Sequence, residues 1–319
     1  MFGHAIRRLG LAGLSMLLLS LLVVGGTTML PGDSCTAYLG QAVEPGALAA
    51  CRHEFGLERP VTVRYVEWLS ALVKGDLGRS FKLRQSVVEL LAPRVRNTLV
   101  LAGLASIVGV PLALALGVMA AIFRDRFPDL LVSALSIVLM TVPEFVSATL
   151  LILVFAIKLR WTPAVTIVPP GAPLRELLPS LGLPAGTLVL VLIAHVLRVA
   201  RAATVEALES EHVEMARLKG VSPINVLFRH ALPGAAPTMI SIVALTLAWL
   251  LGGVVIVERV FNYPGLGTLM VQAIYDRDIP LLQAIILVFA ATYIVLALLS
   301  DLLAMTFNPR LRRAGTVRA

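Results

Sequence analysis

The chain has 319 residues, of which 58% are hydrophobic and only 14% charged, with a formal net charge of +8. Soluble globular domains carry about 25% charged residues, so too little polar sequence remains for a large water-soluble core. Nucleic-acid binding is also excluded as the meaning of the positive charge, because the basic residues are distributed by topology rather than gathered into one patch.

Six apolar stretches reach the length of about 18 residues that marks a spanning helix. They run over Leu9–Leu30, Asn97–Phe123, Leu130–Ile157, Leu177–Ala200, Ala231–Val257 and Ile279–Phe307. Arg7 and Arg8 precede the first, and Arg124 and Arg126 separate the second from the third. Arg198, Arg201, Arg217, Lys219 and Arg229 lie between the fourth and fifth, and Arg310, Arg312, Arg313 and Arg318 close the chain. If the spans alternate, all four groups fall on one side. This positive-inside pattern predicts cytoplasmic N- and C-termini. The expected fold is therefore all-α and polytopic, with six transmembrane helices. The first stretch is longer than the 7–15 residues usual for a cleaved signal, so it is expected to be an N-terminal transmembrane helix within 1–30.

Residues 31–96 form the one long extramembrane segment, expected outside. Thr62–Val73 places Tyr65, Trp68, Leu69 and Leu72 at helical spacing, which suits an interfacial helix or one packed on the rest of this segment. Cys35 and Cys51 lie in the same segment. An oxidising exterior permits a bridge between them, with two unpaired thiols as the other possibility. Their spacing matches no zinc or redox motif.

The third span contains Pro143-Glu144 near its middle. A carboxylate at membrane depth costs on the order of 3 kcal/mol, so Glu144 is expected to face other helices or a wet path, with Pro143 bending its helix. A pathway-lining role and a simple hydrogen bond to a neighbouring helix are both open. His195, in the fourth span, is a weaker case because it lies one turn from Arg198.

Several chemistries are missing. None of the four lysines follows a glycine, so a G-x-x-x-x-G-K-[ST] phosphate loop cannot be present. No H-E-x-x-H or G-x-S-x-G motif occurs. No set of His, Cys and carboxylates in the spans has metal-ligand spacing. No catalytic residue, bound cofactor or metal is expected on this chain. The reading that remains is a transporter, with its energy entering from elsewhere.

Between the fourth and fifth spans, Arg198 to Lys219 reads as one continuous helix, acidic early and basic late, as the helix dipole favours. Gly220 sits where a left-handed residue would end it. Ser222-Pro223 then supplies a cap and a first-turn proline for a second short helix, which Leu232-Pro233 is expected to end. The small Ala216 would let another surface approach closely. Such a rigid cytoplasmic elbow can pass motion from a soluble partner to two spans at once.

Glu214-Met215-Ala216, three residues, Gly220, nine residues, then His230-x-Leu232-Pro233 resembles the EAA motif of bacterial ABC importer permeases. Met215 and His230 depart from that motif, which has alanine and isoleucine there. Leu30-Pro31-Gly32-Asp33, Phe55–Pro60 followed by Tyr65 and Trp68, and Gly75–Ser80 are similar to segments of the dipeptide and oligopeptide (peptide/nickel) permease family. So are Glu258–Gly267, Asp301-Leu302-Leu303 and Asn308–Arg312.

The resemblance implies a type I ABC importer transmembrane fold in a bacterial cytoplasmic (inner) membrane. Five helices within 97–308, a coupling region at 201–233 and a basic tail at 309–319 would follow the extracytoplasmic segment. It implies a second homologous permease subunit, two ATP-binding subunits and an extracytoplasmic substrate-binding protein as partners, with ATP and Mg on the ATP-binding subunits. Glu214, Met215, Ala216, Arg217, Gly220, Leu232 and Pro233 would couple to those subunits. Glu258, Phe261, Tyr263, Pro264 and Gly265 would lie near the docked binding protein. The implied cargo is a dipeptide or short oligopeptide. Nickel or another metal chelate, and glutathione, are alternatives within the permease type. An ion-driven secondary transporter working through Glu144 is the alternative outside it.

Overall fold

The computed structural model describes residues 2–29, 33–39 and 45–307. Pro31, Gly32 and the basic tail 309–319 lie outside the described residues, as do the side chains of Arg7, Arg8 and Asp301. Among the described residues the chain is helical, and the only extended pairing is an isolated antiparallel bridge between Arg79 and Ser86. Among the described residues, four helices are long and apolar enough to cross a membrane, or five if one bent pair counts as a single span. The chain divides into two compact units.

The first unit comprises 1–98, 168–172 and 262–292. It holds α1 (Phe2–Met29), α2 (Ser34–Leu39), α3 (Pro45–Glu54), α4 (Val61–Val73), the start of α5 (Val87–Ile122), α13 (Leu266–Tyr275) and the start of α14 (Ile279–Phe307). Its core joins Val87, Leu90 and Leu91 of α5 to Leu266, Leu269 and Ala273 of α13 and to Leu281, Ala284 and Ile285 of α14. Each triplet has the three- and four-residue spacing that puts side chains on one helix face.

Asp278 caps α14 and is 1% exposed. Its carboxylate accepts hydrogen bonds from the Ser80 hydroxyl, from the Phe81 and Lys82 amides at 3.2 Å and from the Leu281 amide at 3.4 Å. The turn after Gly78 is thereby fastened to the helix start. Gly56 and Gly75, both at positive φ, end α3 and α4, which accounts for two of the glycines in the matched motifs. Tyr65 of α4 shares a 2.8 Å hydrogen bond with Ser20 of α1, and its ring stacks with that of Trp68 at 6.0 Å.

Cys35 and Cys51 form a disulfide across 16 residues, joining α2 to α3. A loop of this size gains about 3 kcal/mol from closure in the chain-entropy picture. Labelling of the denatured, unreduced chain should therefore find no reactive thiol, and labelling after reduction should find two. Beside the disulfide, Asp33 accepts a 2.6 Å hydrogen bond from Arg52 and a 2.9 Å bond from the Thr36 amide. Burial works to raise the Asp33 carboxyl, but these donors outweigh it and hold the group below its ordinary value. The contact therefore stabilises the segment at neutral pH and is lost as pH falls through that lowered value.

The second unit comprises 99–167, 173–261 and 293–319. It is built on α9 (Gly182–Leu208), which follows the short α8 (Leu174–Leu177) and along which α12 (Leu232–Val260) packs. The apolar window of α9 is 67% buried within the chain, whereas that of α5 is only 22% buried. The first is thus an internal strut, while the second leaves most of its apolar surface for lipid or another chain. Gly117 of α5 sits so close to α9 that a Cβ there would lie 2.7 Å from the Leu197 carbonyl oxygen and 2.7 Å from the Ala200 Cβ.

The third sequence span is not a single bent helix. It is two limbs, Phe127–Thr141 (α6) and Glu144–Lys158, meeting at 107°. Pro143 removes an amide donor, and the residue before it, Val142, is driven to the extended conformation with ψ 122°. The second limb is α7 (Glu144–Leu151) continuing as a π-helical turn over Ile152–Lys158. Asp129, near the start of α6 and 1% exposed, receives two hydrogen bonds from Arg201 of α9 at 2.5 and 2.6 Å. Ser133 and the Asp125 amide add two more, at 3.1 and 2.9 Å. Arg201, read from sequence as a topology charge, is therefore half of a buried tie between α6 and α9.

Candidate functional site

The elbow begins where α9 ends at Leu208, so the expected continuous helix to Lys219 is interrupted. Glu209 closes α9, Ser210 is extended with ψ 146°, and α10 (Glu211–Leu218) starts afresh. Ser210 spends its hydroxyl on the Ala207 carbonyl at 2.5 Å, a bond that competes with continuing the helix.

Gly220 then ends α10 at φ 76°. The Val221 amide donates to Ala216 at 3.2 Å and the Gly220 amide to Arg217 at 2.9 Å, which is the Schellman pattern. Val221 and Ala216 also share one apolar cluster, as that motif favours. A Cβ at 220 would meet nothing within 4 Å, so the glycine is required by its conformation alone. Left-handed backbone costs an ordinary L-residue roughly 1–2 kcal/mol. A Gly220→Val variant should loosen the turn by that amount and speed amide exchange at Val221. Gly220→Asn, which tolerates the conformation better, should lie closer to the parent.

Beyond the turn, Ser222 and Pro223 start α11 (Pro223–Asn225), without a side-chain cap from the serine. Leu232-Pro233 does not end this helix, contrary to the sequence expectation. A π-helical turn over Val226–Ala231 carries it directly into α12. Pro233 lies in the first turn of α12, where a missing amide donor has little cost. His212 Nε2 lies 3.3 Å from the His230 carbonyl oxygen, bringing the two arms of the elbow together.

The elbow has a buried inner face and an exposed outer one. Val213, Ala216, Val226 and Ala231 join Ala200, Ala203 and Ala207 of α9 in one cluster. Ala216, 7% exposed, is therefore small to admit the elbow's own second arm, not an outside surface. Glu214, Arg217 and Gly220 are exposed, as is Pro233, while Leu232 is half-buried. Met215 is 53% exposed, and sequence reasoning missed three still more open apolar neighbours, Leu218, Ile224 and Phe228. Their signal was apolar residues at elbow positions that the inner packing does not use. Four large apolar side chains interleaved with charges form a surface suited to another protein.

The other predicted sites fare differently. Glu144 starts α7 and lays its carboxylate on Gly253 of α12, where a Cβ would lie 2.7 Å from both oxygens. Pro143 is exposed beside it. The ring of His195 on α9 lies 5.1 Å from that of Trp249 on α12. Segment 258–265, expected near a docked binding protein, is largely buried. Glu258 is 0% exposed, Phe261 1% and Tyr263 0%, and Pro264 and Gly265 are buried too.

Within the first unit, Tyr263 and Pro264 have identifiable partners. The Tyr263 hydroxyl donates to the Asn97 carbonyl at 2.9 Å, and the Asn97 amide donates to Pro264 and Pro170 at 2.9 and 3.1 Å. These bonds fasten Tyr263 and Pro264 to Asn97. Among the described residues no group of three or more metal-ligating side chains occurs.

Residues 113–313 match the family described as binding-protein-dependent transport system inner membrane component, and residues 1–102 match its N-terminal region. The chain belongs to that family. A putative peptide transport system permease protein of Brucella abortus (strain 2308) is 36% identical to this permease over 93% of its length and 95% of the relative's. The glutathione transport system permease protein of Escherichia coli O6:H1 is 35% identical over 98% and 99% of the two chains. A crystal structure of an amino acid ABC transporter with histidines superposes with a TM-score of 0.53 at 17% identity, covering 69% of this permease and 94% of that chain. This likeness shows the fold alone. The permease is a multi-pass membrane protein and a transport component, from a family of transport subunits rather than enzymes.

Proposed function

We propose that this permease moves dipeptides or short oligopeptides inward across the bacterial cytoplasmic membrane as part of an ATP-driven importer. In this reading it has six spans and cytoplasmic termini. Residues 1–30 form the first span, 31–96 the extracytoplasmic segment, 97–308 the transport body and 309–319 the tail. A second homologous permease completes the path, a substrate-binding protein delivers cargo from outside, and two ATP-binding subunits below hold the ATP and Mg. This chain carries no cofactor and hydrolyses nothing.

The observation that carries the reading is the elbow. A rigid Schellman turn at Gly220 holds a buried inner face and leaves Met215, Leu218, Ile224 and Phe228 open among charges. An ATP-binding subunit gripping that face would turn α9 and α12 together, since the elbow joins their ends. Glu144, seated on Gly253 of α12, would feel any shift of α12 and is the favoured pathway-lining acid.

Peptide cargo rests on the relatives named as peptide permeases. Glutathione is the second reading, because a glutathione permease is equally similar. The test is uptake into liposomes holding the complete set of subunits, with labelled dipeptide and glutathione in competition. ATP should drive uptake, and this permease alone under a proton gradient should give none. Gradient-driven uptake by the lone chain would replace the importer with a secondary transporter.

A further inference from the structure

We infer that the first unit carries a binding site for the phosphodiester headgroup of an anionic membrane lipid. A cavity of about 750 Å3 opens within that unit, walled by Val24 and Thr27 of α1, Arg64 and Trp68 of α4, and Ile279 and Pro280 of α14. Two donors in its wall, Arg64 Nε and Trp68 Nε1, are buried without an acceptor. Buried donors are nearly always paired, and an unpaired one is costly. Arg64 and Trp68 both line the cavity, and a side-chain rotation that turned either donor into it would give that donor an acceptor on a ligand held there.

Charge narrows the ligand. Arg59, Arg64, Arg79 and Arg84 line the cavity against two carboxylates, Glu54 and Glu67. Both carboxylates are occupied, Glu54 by Arg84 at 2.8 Å and Glu67 by Arg59 at 3.1 Å. The positive excess suits an anion. A zwitterionic peptide would also need an acceptor for its ammonium, and the acids that could serve are taken. Phosphate oxygens match an arginine and an indole N–H donor together.

Position narrows it again. Val24 and Thr27 lie in the last turns of α1, and Ile279 and Pro280 open α14. Ends of apolar helices lie at headgroup depth, where tryptophan is also favoured. A ligand here has an acidic group facing α4 and an apolar body along α1 and α14, as a phospholipid does. The site is independent of the cargo and of the coupling role of the elbow.

The test uses the full chain purified in the membrane complex from which it is isolated. It is stripped of lipid and given phosphatidylglycerol or phosphatidylcholine, and retained lipid is read by native mass spectrometry. Phosphatidylglycerol should be retained preferentially. Trp68→Phe removes the indole N–H and keeps a smaller aromatic ring, and Arg64→Gln removes the charge. Each should weaken retention about tenfold, as expected for a charge-assisted hydrogen bond. Arg175→Gln, which is not among the residues lining the cavity, should not. If Arg64→Gln fails to fold, Trp68→Phe decides alone. Equal retention of the two lipids, or retention unchanged in Trp68→Phe, overturns the site. Displacement of the lipid by equimolar glycerol 3-phosphate overturns the lipid as its source.

Discussion

A permease carrying Leu218→Asp and Phe228→Asp is expected to insert in the membrane at the parent's level and to lose ATP-driven uptake. Leu218 is 75% exposed and Phe228 63%. Exposed substitutions away from special features usually change stability by less than about 0.5 kcal/mol, so folding should be spared. Docking should not be. Two carboxylates placed in an apolar contact must be desolvated without partners, and central anchors of this kind are worth about 2 kcal/mol each or more. Binding of an ATP-binding subunit should therefore weaken by at least about 100-fold. Val213→Asp, on the buried inner face of the same helix, should instead reduce the amount of folded chain. Uptake in vesicles, normalised to membrane-inserted permease, separates the two outcomes. Normal uptake by the outer-face variant would remove this surface from the coupling path.

The second large effect lies in the helix packing. Gly117→Val is expected to leave little folded permease in the membrane. Its first added carbon would already lie 2.7 Å from a backbone oxygen of α9 and 3.1 Å from the Arg201 amide nitrogen. Neither atom can rotate away as a side-chain tip could. The helices must separate, and overpacking of this sort costs about 1–3 kcal/mol for a small addition, more for a branched one. Separation also threatens the paired hydrogen bonds from Arg201 to Asp129, whose loss strands a buried carboxylate. On the same helix, a Cβ added at Gly103 would meet nothing within 4 Å. Gly103→Val should therefore accumulate normally. Thermal unfolding in detergent and the yield in the membrane fraction both report the difference.

Much of this was legible beforehand where one physical rule decided it. Lipid demands long apolar helices, and α5, α9, α12 and α14 follow the hydropathy closely. Positive φ demands glycine, and Gly220 closes α10 where the sequence placed the turn. Other features depend on packing that hydropathy does not carry. The 107° break at Pro143 hides in an uninterrupted apolar run, because proline announces a bend but not its size. Asp129 and Asp278 carry no sequence signal of their own, yet distant residues hold them: Arg201 the first and the turn after Gly78 the second. The stretch around Tyr263 resembles a family segment near the docked binding protein, and its hydrogen bond to Asn97 had no signal in the sequence. The exposure of Leu218, Ile224 and Phe228 could not be told from that of ordinary core residues without knowing which face of the elbow the alanines fill.

If energy enters this permease through the outer face of the elbow, a single cysteine at Ile224 should report it in the assembled transporter, since that residue is 71% exposed. The two native cysteines are held in their disulfide and give no background. A short thiol crosslinker should join Ile224→Cys to an ATP-binding subunit in high yield, with a yield that changes when ATP is bound. No crosslink to that subunit, together with full uptake after a bulky thiol reagent has modified the same cysteine, would place the entry of energy elsewhere.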